Sequence, residues 1–284
     1  MRLWSAKKTK YLPHCKSLLY TKAGSLFLYP SIFQDLGARE RQEDSFVFSD
    51  LSNIRDTEEN GVLAVIADGM GGLSHGEMAS QTAVDVILRE YQLKEPKEAP
   101  LDFLKRSLLR ANAAVFDLAY VDGQEVDLGT TMITALILND FLHWVSVGDS
   151  RIYIHRDKKL TQLTRDHVYA NHLTQQVKEG RLTRKEAEEH PEKDFLTGYL
   201  GLPELKEYSS CSEPMELNSG DILLLCSDGL YNTLSHGEME NLLSVGPEQA
   251  AERLGKEALE KKFSYQDNIT IVTFLCRKNC KTKK

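Results

Sequence analysis

Two apolar runs separated by only two residues constrain the fold of this 284-residue chain more than any other feature of its sequence. Residues 132–138 and 141–147 are rich in apolar side chains, including β-branched ones, which is typical of buried strands. Asn139 and Asp140, between the runs, tolerate the positive φ angles of a tight turn. The pattern therefore predicts an antiparallel hairpin. The alternating residues 151–155 predict a further strand that continues the same meander.

Two other segments show the periodicity of helices that bury one face. In the first, apolar residues recur at every fourth position, and in the second they follow alternating spacings of three and four. Residues 50–61 are polar and rich in turn formers, so this segment is predicted to be a loop. The two apolar stripes are Ala79, Ala83, Ile87 and Tyr91, and Leu101, Leu104, Leu108, Ala111, Val115 and Leu118.

Further strand and helix signals follow along the chain, and no Pro-, Gly- or Ser-rich linker divides them. We therefore expect one domain over residues 27–276, between a basic N-terminal extension (1–26) and a basic tail (277–284). Residues 157–200 are polar and are predicted to form an insertion with two short helices. The other predicted strands are 27–33, 63–67, 222–226, 269–276 and one that begins at 46–48, and the remaining helices are 167–179, 183–189 and 247–262.

The charge distribution separates the ends of the chain from its body. Residues 1–34 and 277–284 hold eleven cations and no acid, whereas the body between them has 24 basic and 42 acidic residues, a balance of −18. Such a body repels nucleic acid and attracts divalent cations. Short basic ends are typical of solubilising tails, and recruitment of the ends to anionic lipid is the alternative that we favour less.

The chain has no sequence signal for export or for a membrane span. Its 41% hydrophobic content is that of a globular protein. No apolar run approaches the roughly 18 residues that a membrane-spanning helix needs. The five cysteines are scattered, and no pair has the spacing of a zinc or redox site. These features predict a soluble protein of the reducing cytoplasm.

An apolar strand that leads directly into Asp-Gly occurs twice, at Asp68-Gly69 and at Asp228-Gly229. The sequence Leu-Ser-His-Gly-Glu-Met follows each copy, at 73–78 and at 234–239. Asp-Gly alone usually marks a turn. A carboxylate at the end of a buried strand, however, is held rigidly, and two copies favour a functional site. We therefore interpret the two copies as one structural device used twice.

More acidic residues occupy the ends of predicted strands. Glu43 and Asp44 precede one strand, Asp149 ends another, and Asp267 opens the last. Carboxylates gathered in this way repel one another unless a cation lies between them. Oxygen ligands without clustered histidines or thiolates select hard ions, so we expect Mg²⁺ or Mn²⁺ rather than Zn²⁺. A nucleotide-binding P-loop is disfavoured, because the glycines at 69–72 lack the Lys-Ser/Thr that completes it.

Seven motifs, in order from about residue 27 to 276, resemble those of the metal-dependent protein phosphatases of the protein phosphatase 2C family, in its bacterial form. Each motif alone is unspecific, but seven in the family's order are highly specific. They are Arg39-Glu40-Arg41-Gln42-Glu43-Asp44-Ser45, Ala67-Asp68-Gly69-Met70-Gly71-Gly72, Gly129-Thr130-Thr131, Val147-Gly148-Asp149-Ser150-Arg151, Leu163-Thr164-Arg165-Asp166-His167, Ser227-Asp228-Gly229-Leu230 and Asp267-Asn268-Ile269-Thr270.

The resemblance implies an α+β fold, in which a central sandwich of two antiparallel sheets is flanked by helices and holds a binuclear metal centre at one end. It implies hydrolysis of phosphoserine and phosphothreonine on proteins, with two Mn²⁺ or Mg²⁺ ions and possible room for a third. Carried over residue by residue, it implies that Asp68 bridges both ions and that the Gly69 carbonyl binds the first. Asp228 and Asp267 would bind the second.

The resemblance also implies roles for four other residues. Glu43 and Asp44 would act partly through metal-bound waters, Asp149 with Asp228 would form the third, weaker metal site, and Arg39 would grip the substrate phosphate. Two metals about 4 Å apart can hold a bridging water, lower its pKa and offset the charge on the phosphoryl group. An arginine suits the phosphate because its planar fork donates two parallel hydrogen bonds. The alternative for Arg39 is a surface ion pair with a neighbouring glutamate.

The chain departs from the family's pattern at three positions. Met70 stands where many eukaryotic members have a histidine thought to protonate the leaving oxygen, so the general acid is unassigned and a metal-bound water is a candidate. Gln42 stands where bacterial members usually have asparagine, which we expect to be harmless. Gly198, in the segment 197–201 that resembles the end of the family's flap, replaces a common arginine. This change puts substrate contacts in question rather than the metal site.

The leading interpretation is a monomeric phosphatase of phosphorylated proteins, with a flap at residues 157–200 that shapes substrate choice and a serine/threonine kinase as its opposing partner. A catalytically silent member that serves as a regulatory binding module is one alternative, although Asp44, Asp68, Asp228 and Asp267 are all present. A dedicated antagonist in a partner-switching pathway, acting on one phosphoserine of a small regulatory protein, is another.

Overall fold

The structure is a computed structural model, and it describes residues 21–71, 75–118, 120–121, 124–125 and 127–278. Most of the predicted basic extension and basic tail lies outside these residues. Within them, Cys211, Cys226 and Cys276 are buried and form no disulfide. None of the helices in these ranges is long and apolar enough to cross a membrane.

The described part of the chain contains fifteen strands, and the longer of them are mostly apolar and β-branched runs. The predicted strands are all present, and several extend beyond their predicted bounds because polar residues at strand ends still pair through their backbone. The strands are β1 Thr21–Ala23, β2 Leu26–Asp35, β3 Asp44–Phe48, β4 Val62–Gly71, β5 Tyr120–Val121, β6 Gln124–Glu125, β7 Leu128–Thr130, β8 Met132–Leu138, β9 Phe141–Val147, β10 Arg151–Arg156, β11 Lys159–Gln162, β12 Ser209–Ser210, β13 Met215–Glu216, β14 Ile222–Cys226 and β15 Ile269–Lys278.

The strands form two main antiparallel sheets, which confirms the predicted α+β sandwich. The first sheet has the order β1-β2-β15-β14-β10-β11. The second has the order β12-β9-β8-β4-β3, with β13 beside β9 and β7 beside β4. A separate small sheet pairs β5 with β6. The described strand pairs of both main sheets are antiparallel, as hairpin connections allow.

The hairpin of β8 and β9 has the predicted turn. Asn139 and Asp140 have φ angles of 52° and 68°. The carboxylate of Asp140 accepts hydrogen bonds from the backbone N–H groups of Ser25 and Leu26, with each N–O distance at 2.9 Å. Because Ser25 and Leu26 belong to the β1–β2 hairpin of the first sheet, this turn ties the two sheets together at one end of the sandwich.

The prediction that residues 151–155 continue the meander of β8 and β9 is wrong. This strand, β10, pairs with β14 and β11 in the first sheet. The chain changes sheets at Gly148, which has a φ of 90°. Alternation of apolar and polar residues indicates that a strand has one apolar and one polar face, but it does not indicate which sheet the strand joins.

The central strands β4 and β14 are buried on both faces. The layer between the sheets receives Ala64 and Ile66 from β4 and Leu223 and Leu225 from β14. The opposite faces of these strands pack under helices. Burial on both faces explains why these two strands are continuous apolar runs rather than alternating ones. Their ends therefore lie in the middle of the sandwich.

The described ranges contain eight helices, with one 3-10 turn at Pro247–Gln249 before the last of them. The two predicted apolar stripes lie on α2 and α3, where eight of their ten residues are fully buried or nearly so. The helices are α1 Ile54–Asn60, α2 His75–Gln92, α3 Pro100–Leu118, α4 Tyr169–Lys178, α5 Arg184–Glu188, α6 Asp228–Tyr231, α7 His236–Ser244 and α8 Ala250–Glu260.

Two predicted segments need correction. Residues 50–61 were expected to be a loop but contain α1, whose N-cap Asn53 accepts a hydrogen bond from the Asp56 N–H. This helix buries only Thr57, so it has no apolar stripe to reveal it. The polar insertion also begins later than expected, because Lys159–Gln162 forms β11 at the edge of the first sheet.

Candidate metal centre

The predicted acidic residues meet at the end of the sandwich opposite the Asn139–Asp140 turn. Asp44 on β3 pairs directly with Asp68 on β4 in the second sheet. Asp149 follows β9, Asp228 follows β14, and Asp267 precedes β15. Because β14 and β15 belong to the first sheet, both sheets contribute carboxylates to one cluster.

Hydroxyl groups of the first sheet hold Asp44 in place. Its Oδ2 accepts hydrogen bonds from Ser227 Oγ at 2.8 Å and from Thr270 Oγ1 at 2.7 Å. Ser227 immediately precedes Asp228, and Thr270 lies in β15. These bonds lock the end of β3 to the ends of β14 and β15, so the carboxylates of both sheets keep a fixed spacing.

Two buried carboxylate oxygens mark the place for a cation. Asp44 Oδ1 and Asp228 Oδ1 are buried and have no hydrogen-bond partner among the described residues. A buried oxygen without a partner is costly, and an anionic one more so. Oxygen ligands of this kind fit a hard divalent ion. Within the described ranges, however, no three acidic, histidine or cysteine side chains already form a complete ligand set around one point.

Burial and mutual repulsion favour the protonated, neutral form of the acids in the cluster. Burial, followed by the charges of Asp44 and Asp228, raises the pKa of Asp68 well above its ordinary value. Burial is also the main cause that raises the pKa of Asp44 to about 6 and of Asp228 to about 7. Burial likewise raises the pKa of Asp149. A bound cation would reverse these shifts by stabilising the ionised carboxylates.

Gly69 makes room for the first turn of α2. Its N–H donates to the Glu43 carbonyl oxygen at 3.1 Å. A Cβ at Gly69 would lie 2.1 Å from the Gly76 carbonyl oxygen, so no larger residue fits there without moving the backbone. Gly69, whose carbonyl is the predicted metal ligand, is therefore held between Glu43 and the first turn of α2.

The two Asp-Gly copies do not have the same local structure, so the interpretation of them as one structural device used twice is wrong. Asp68 and Gly69 continue β4, whereas Asp228 begins α6. What the copies share is a close backbone contact, since a Cβ at Gly229 would lie 2.1 Å from the Asn268 carbonyl oxygen. Of the repeated downstream sequence, residues 72–74 lie outside the described ranges.

Glu43 is positioned through its backbone. Its N–H donates to Asn268 Oδ1 at 2.7 Å, and its carbonyl accepts from Ser80 Oγ at 2.5 Å. The Asn268 amide also donates to the carbonyls of Leu36 and Arg41. Burial raises the pKa of Glu43, and Arg39 partly offsets this effect. Sequence analysis assigned no role to Asn268, although its position beside Asp267 is a signal for one.

Arg39 lies at the exposed edge of the cluster. Its Nη2 donates to Asp267 Oδ2 at 2.6 Å, so its ion pair is with an aspartate of the cluster and not with a glutamate. The Arg39 side chain is 53% exposed. An exposed ion pair contributes little to stability, which leaves the guanidinium available to an anionic ligand. The turn before Arg39 is fixed by Gly37, whose φ is 61°.

Asp149 is held by an aromatic residue of α6. The Tyr231 hydroxyl donates to the Asp149 Oδ2 at 3.1 Å and to its carbonyl at 3.0 Å. The Arg151 guanidinium lies 3.4 Å from the centre of the Tyr231 ring and forms an ion pair with Asp166 at 2.6 Å. This network joins α6 to the strand after the sheet change.

The segment at 197–201 has no room for a side chain at its second residue. A Cβ at Gly198 would lie 2.6 Å from the Glu207 carbonyl oxygen. Thr197 Oγ1 donates to the Glu207 carboxylate at 2.5 Å, and the Thr197 N–H donates to the His167 carbonyl at 2.8 Å. The glycine at this position is thus explained by packing.

The sandwich and its carboxylate cluster define the class of the protein as the metal-dependent protein phosphatases. The family described as "Protein phosphatase 2C" matches residues 37–264, and the chain belongs to this family.

Relatives and solved structures agree with this assignment. The chain is 29% identical to the serine/threonine phosphatase stp of Listeria welshimeri over 231 residues, which cover 78% of this chain and 88% of that protein. It is 34% identical to the serine/threonine protein phosphatase PstP of Mycobacterium tuberculosis, over 79% of this chain and 43% of that protein. The crystal structure of the M. tuberculosis PstP/Ppp phosphatase has a TM-score of 0.71 at 30% identity and covers 88% of this chain and 99% of that one.

A second structural neighbour carries metal. The catalytic domain of PstP in complex with two manganese ions has a TM-score of 0.70 at 30% identity, and the match covers 89% of this chain and 99% of that one. The chain is a serine/threonine protein phosphatase, a phosphoric monoester hydrolase that depends on a divalent metal.

Proposed function

We propose that the chain hydrolyses phosphoserine and phosphothreonine on proteins with two divalent cations, Mn²⁺ or Mg²⁺, held at the carboxylate cluster. In this proposal Asp68 and the Gly69 carbonyl hold one ion, and Asp68, Asp228 and Asp267 hold the other. The observation that carries it is the pair of buried oxygens without a partner, Asp44 Oδ1 and Asp228 Oδ1, in a cluster to which both sheets contribute.

When bound, the two cations would supply Lewis-acid charge to the phosphoryl oxygens and a nucleophile at neutral pH. The chain's own residues fix the surrounding geometry. Asp44 is locked by Ser227 and Thr270, and the Glu43 backbone is locked by Asn268. Rigid positioning of this kind lets a site stabilise charge without reorganising as the reaction proceeds.

Arg39 in this proposal binds the substrate phosphate through its guanidinium. Its partner Asp267 and its 53% exposure support this role, because a phosphate that approaches the cluster meets Arg39 at the rim. Asp149, with Asp228, is proposed to hold the third and weaker ion. Glu43 and Asp44 are proposed to contact the ions partly through water.

The substrates are phosphorylated proteins, as the phosphatase relatives imply. We propose further that the enzyme acts as a monomer against a serine/threonine kinase, and that the polar segment up to residue 200 shapes substrate choice. The silent-module alternative is less well supported, since the cluster keeps all of its predicted acids in proximity. An antagonist with one phosphoprotein substrate uses the same chemistry and differs only in specificity.

The metal content tests the proposal directly. Isothermal titration of metal-free protein with Mn²⁺ is expected to give at least two bound ions per chain. Replacing Asp228 with alanine is expected to weaken binding by at least about 100-fold, because even residues that only orient metal ligands change affinity by about 10–100-fold. Asp85→Asn is the matched control, since Asp85 lies on α2 and, among the described residues, its carboxylate accepts a side-chain hydrogen bond only from Gln81. Unchanged binding by Asp228→Ala would contradict the proposal.

Removal of the Arg39 guanidinium is expected to weaken substrate binding more than turnover. Arg39→Ala should raise KM for a phosphothreonine peptide by about 10-fold or more, because a hydrogen bond to a charged group contributes about 1.5–3 kcal/mol. The value of kcat should change less. Steady-state kinetics measure both, with Arg55→Ala on α1 as the exposed control, since Arg55 pairs only with Glu59 among the contacts of this helix. A fall in kcat without a rise in KM would count against phosphate binding by Arg39.

A further inference from the structure

Two aromatic rings project into solvent from the loop before Asp267. Phe263 and Tyr265 are stacked, with ring centroids 6.0 Å apart and an angle of 11° between the rings. Phe263 is 40% exposed and Tyr265 is 79% exposed. Single exposed apolar residues are common on protein surfaces, but a stacked aromatic pair beside an active site offers a preformed apolar surface to a ligand.

Contacts other than the two rings hold this loop, residues 261–265, in place. Lys261 Nζ forms an ion pair with Glu238 at 2.5 Å. At the other end, the Gln266 carbonyl accepts from the Ala38 N–H at 2.8 Å, and the Gln266 N–H donates to the Phe263 carbonyl at 3.3 Å. Since polar contacts fix both ends of the loop, the rings are not required to anchor it.

The two residues that follow this loop, Gln266 and Asp267, are packed against the turn that leads to Arg39. A Cβ at Gly37 would lie 2.2 Å from the Asp267 carbonyl oxygen and 2.8 Å from that of Gln266. Leu36, on the same turn, is 38% exposed. The loop with Phe263 and Tyr265 therefore leads directly into two residues, Gln266 and Asp267, that pack against the turn before Arg39.

We propose that Phe263 and Tyr265 bind an apolar side chain of the protein substrate close to the phosphorylated residue. The inference rests on the proposed role of Arg39 as the phosphate ligand. Tyr265 and Phe263 lie two and four residues before Asp267. Because an extended chain spans at most about 3.3–3.6 Å per residue, the bound side chain lies within about four positions of the phosphoresidue.

The test compares two phosphothreonine peptides and a small substrate. One peptide carries leucine at each of the four positions on either side of phosphothreonine, the other carries alanine there, and the small substrate is p-nitrophenyl phosphate. The variant replaces both Phe263 and Tyr265 with alanine. Phe141→Ala is the matched control, because Phe141 is 41% exposed and begins β9 at the opposite end of the sandwich.

The double variant is expected to lose about 10-fold in kcat/KM on the leucine peptide, which is the scale of a moderately important interface contact. Its kcat/KM on the alanine peptide and on p-nitrophenyl phosphate should stay at the unmodified level, as should both values for Phe141→Ala. A thermal unfolding midpoint equal to that of the unmodified protein would show that the variant is folded.

Equal loss on the two peptides, or no loss on the leucine peptide, would overturn the inference. A dimer of the unmodified protein that the double variant dissolves, seen by sedimentation, would overturn it too, because the rings would then face a second copy of the chain. Failure of the proposed function is distinguishable, since it would remove Mn²⁺-dependent hydrolysis of p-nitrophenyl phosphate by the unmodified protein.

Discussion

Replacing Asp68 with asparagine is expected to lower kcat for phosphopeptide hydrolysis by at least about 1,000-fold, which corresponds to roughly 4 kcal/mol of transition-state stabilisation. Asp68 lies opposite Asp44 on the neighbouring strand, and its pKa responds to the charges of Asp44, Asp228, Asp149 and Asp267. It is therefore in electrostatic contact with four other acids of the cluster. An amide at this position removes the negative charge, and with it the proposed anionic metal ligand, while it keeps the size of the side chain.

The same substitution is expected to have the opposite effect on the stability of the metal-free protein. The folded state raises the pKa values of Asp44 and Asp228 to about 6 and about 7. An unfolded aspartate titrates near about 3.9. The folded chain thus binds more protons than the unfolded chain between these values, so its stability falls as the pH rises from about 4 to about 7.

Asp68→Asn removes one of the repelling charges, so above pH 7 the metal-free variant should unfold at a higher temperature than the metal-free unmodified protein. Added Mn²⁺ should raise the unfolding temperature of the unmodified protein more than that of the variant. Thermal unfolding at several pH values, with and without Mn²⁺, measures both effects. Titratable groups outside the cluster change stability with pH equally in both proteins, so the difference between them isolates the cluster. Asp85→Asn should behave like the unmodified protein, and a less stable metal-free Asp68→Asn would contradict the repulsion.

Replacing Gly69 with alanine is expected to destabilise the fold by about 3 kcal/mol, at the upper end of the usual cost of overpacking. The new methyl group would lie 2.1 Å from the Gly76 carbonyl oxygen and 2.7 Å from the Glu43 carbonyl oxygen. Both obstacles are backbone atoms, so no change of rotamer relieves the contact. The start of α2 must move away from β4, and the Gly69 carbonyl must move with it.

Gly237→Ala provides the matched control for this prediction. Gly237 occupies the same position in the second Leu-Ser-His-Gly-Glu-Met sequence that Gly76 occupies in the first. A Cβ at Gly237 would meet no atom within 4 Å. Because alanine is a better helix former than glycine by about 1 kcal/mol, this variant should be as stable as the unmodified protein or more so. Thermal or urea unfolding measures the stability of Gly69→Ala and of Gly237→Ala. Similar stability for both variants would mean that the start of α2 is not in close contact with Gly69.

The turn and the amphipathic helices that the sequence predicts are present in the fold. The turn at Asn139 and Asp140 is predictable because few residue types accept positive φ. The apolar stripes of α2 and α3 are predictable because burial of one helix face imposes its own period. The helix α1 is not predictable in this way, because it buries only Thr57. The position of β10 in the first sheet is not predictable either, because apolar residues alternate in the same way in a strand of either sheet.

The acids of the site are predictable as strand ends, but the groups that hold them are not. Ser227 and Thr270 bond Asp44 across 183 and 226 residues of sequence. No periodicity links positions so far apart. The motif order of a known family indicated which acids belong together, whereas the ion pair of Arg39 with Asp267 and the packing of Gly198 against Glu207 became visible only in three dimensions.

The position of β15 has a consequence for when the enzyme becomes active during its synthesis. This strand lies between β2 and β14 in the first sheet, and it is made after all the other strands of the two sheets. Asp267 and Thr270 arrive with it. A nascent chain that has emerged only as far as β14 lacks the middle of one sheet and the last acid of the cluster. On the roles proposed for these residues, such a chain is expected to lack phosphatase activity until the last strand inserts.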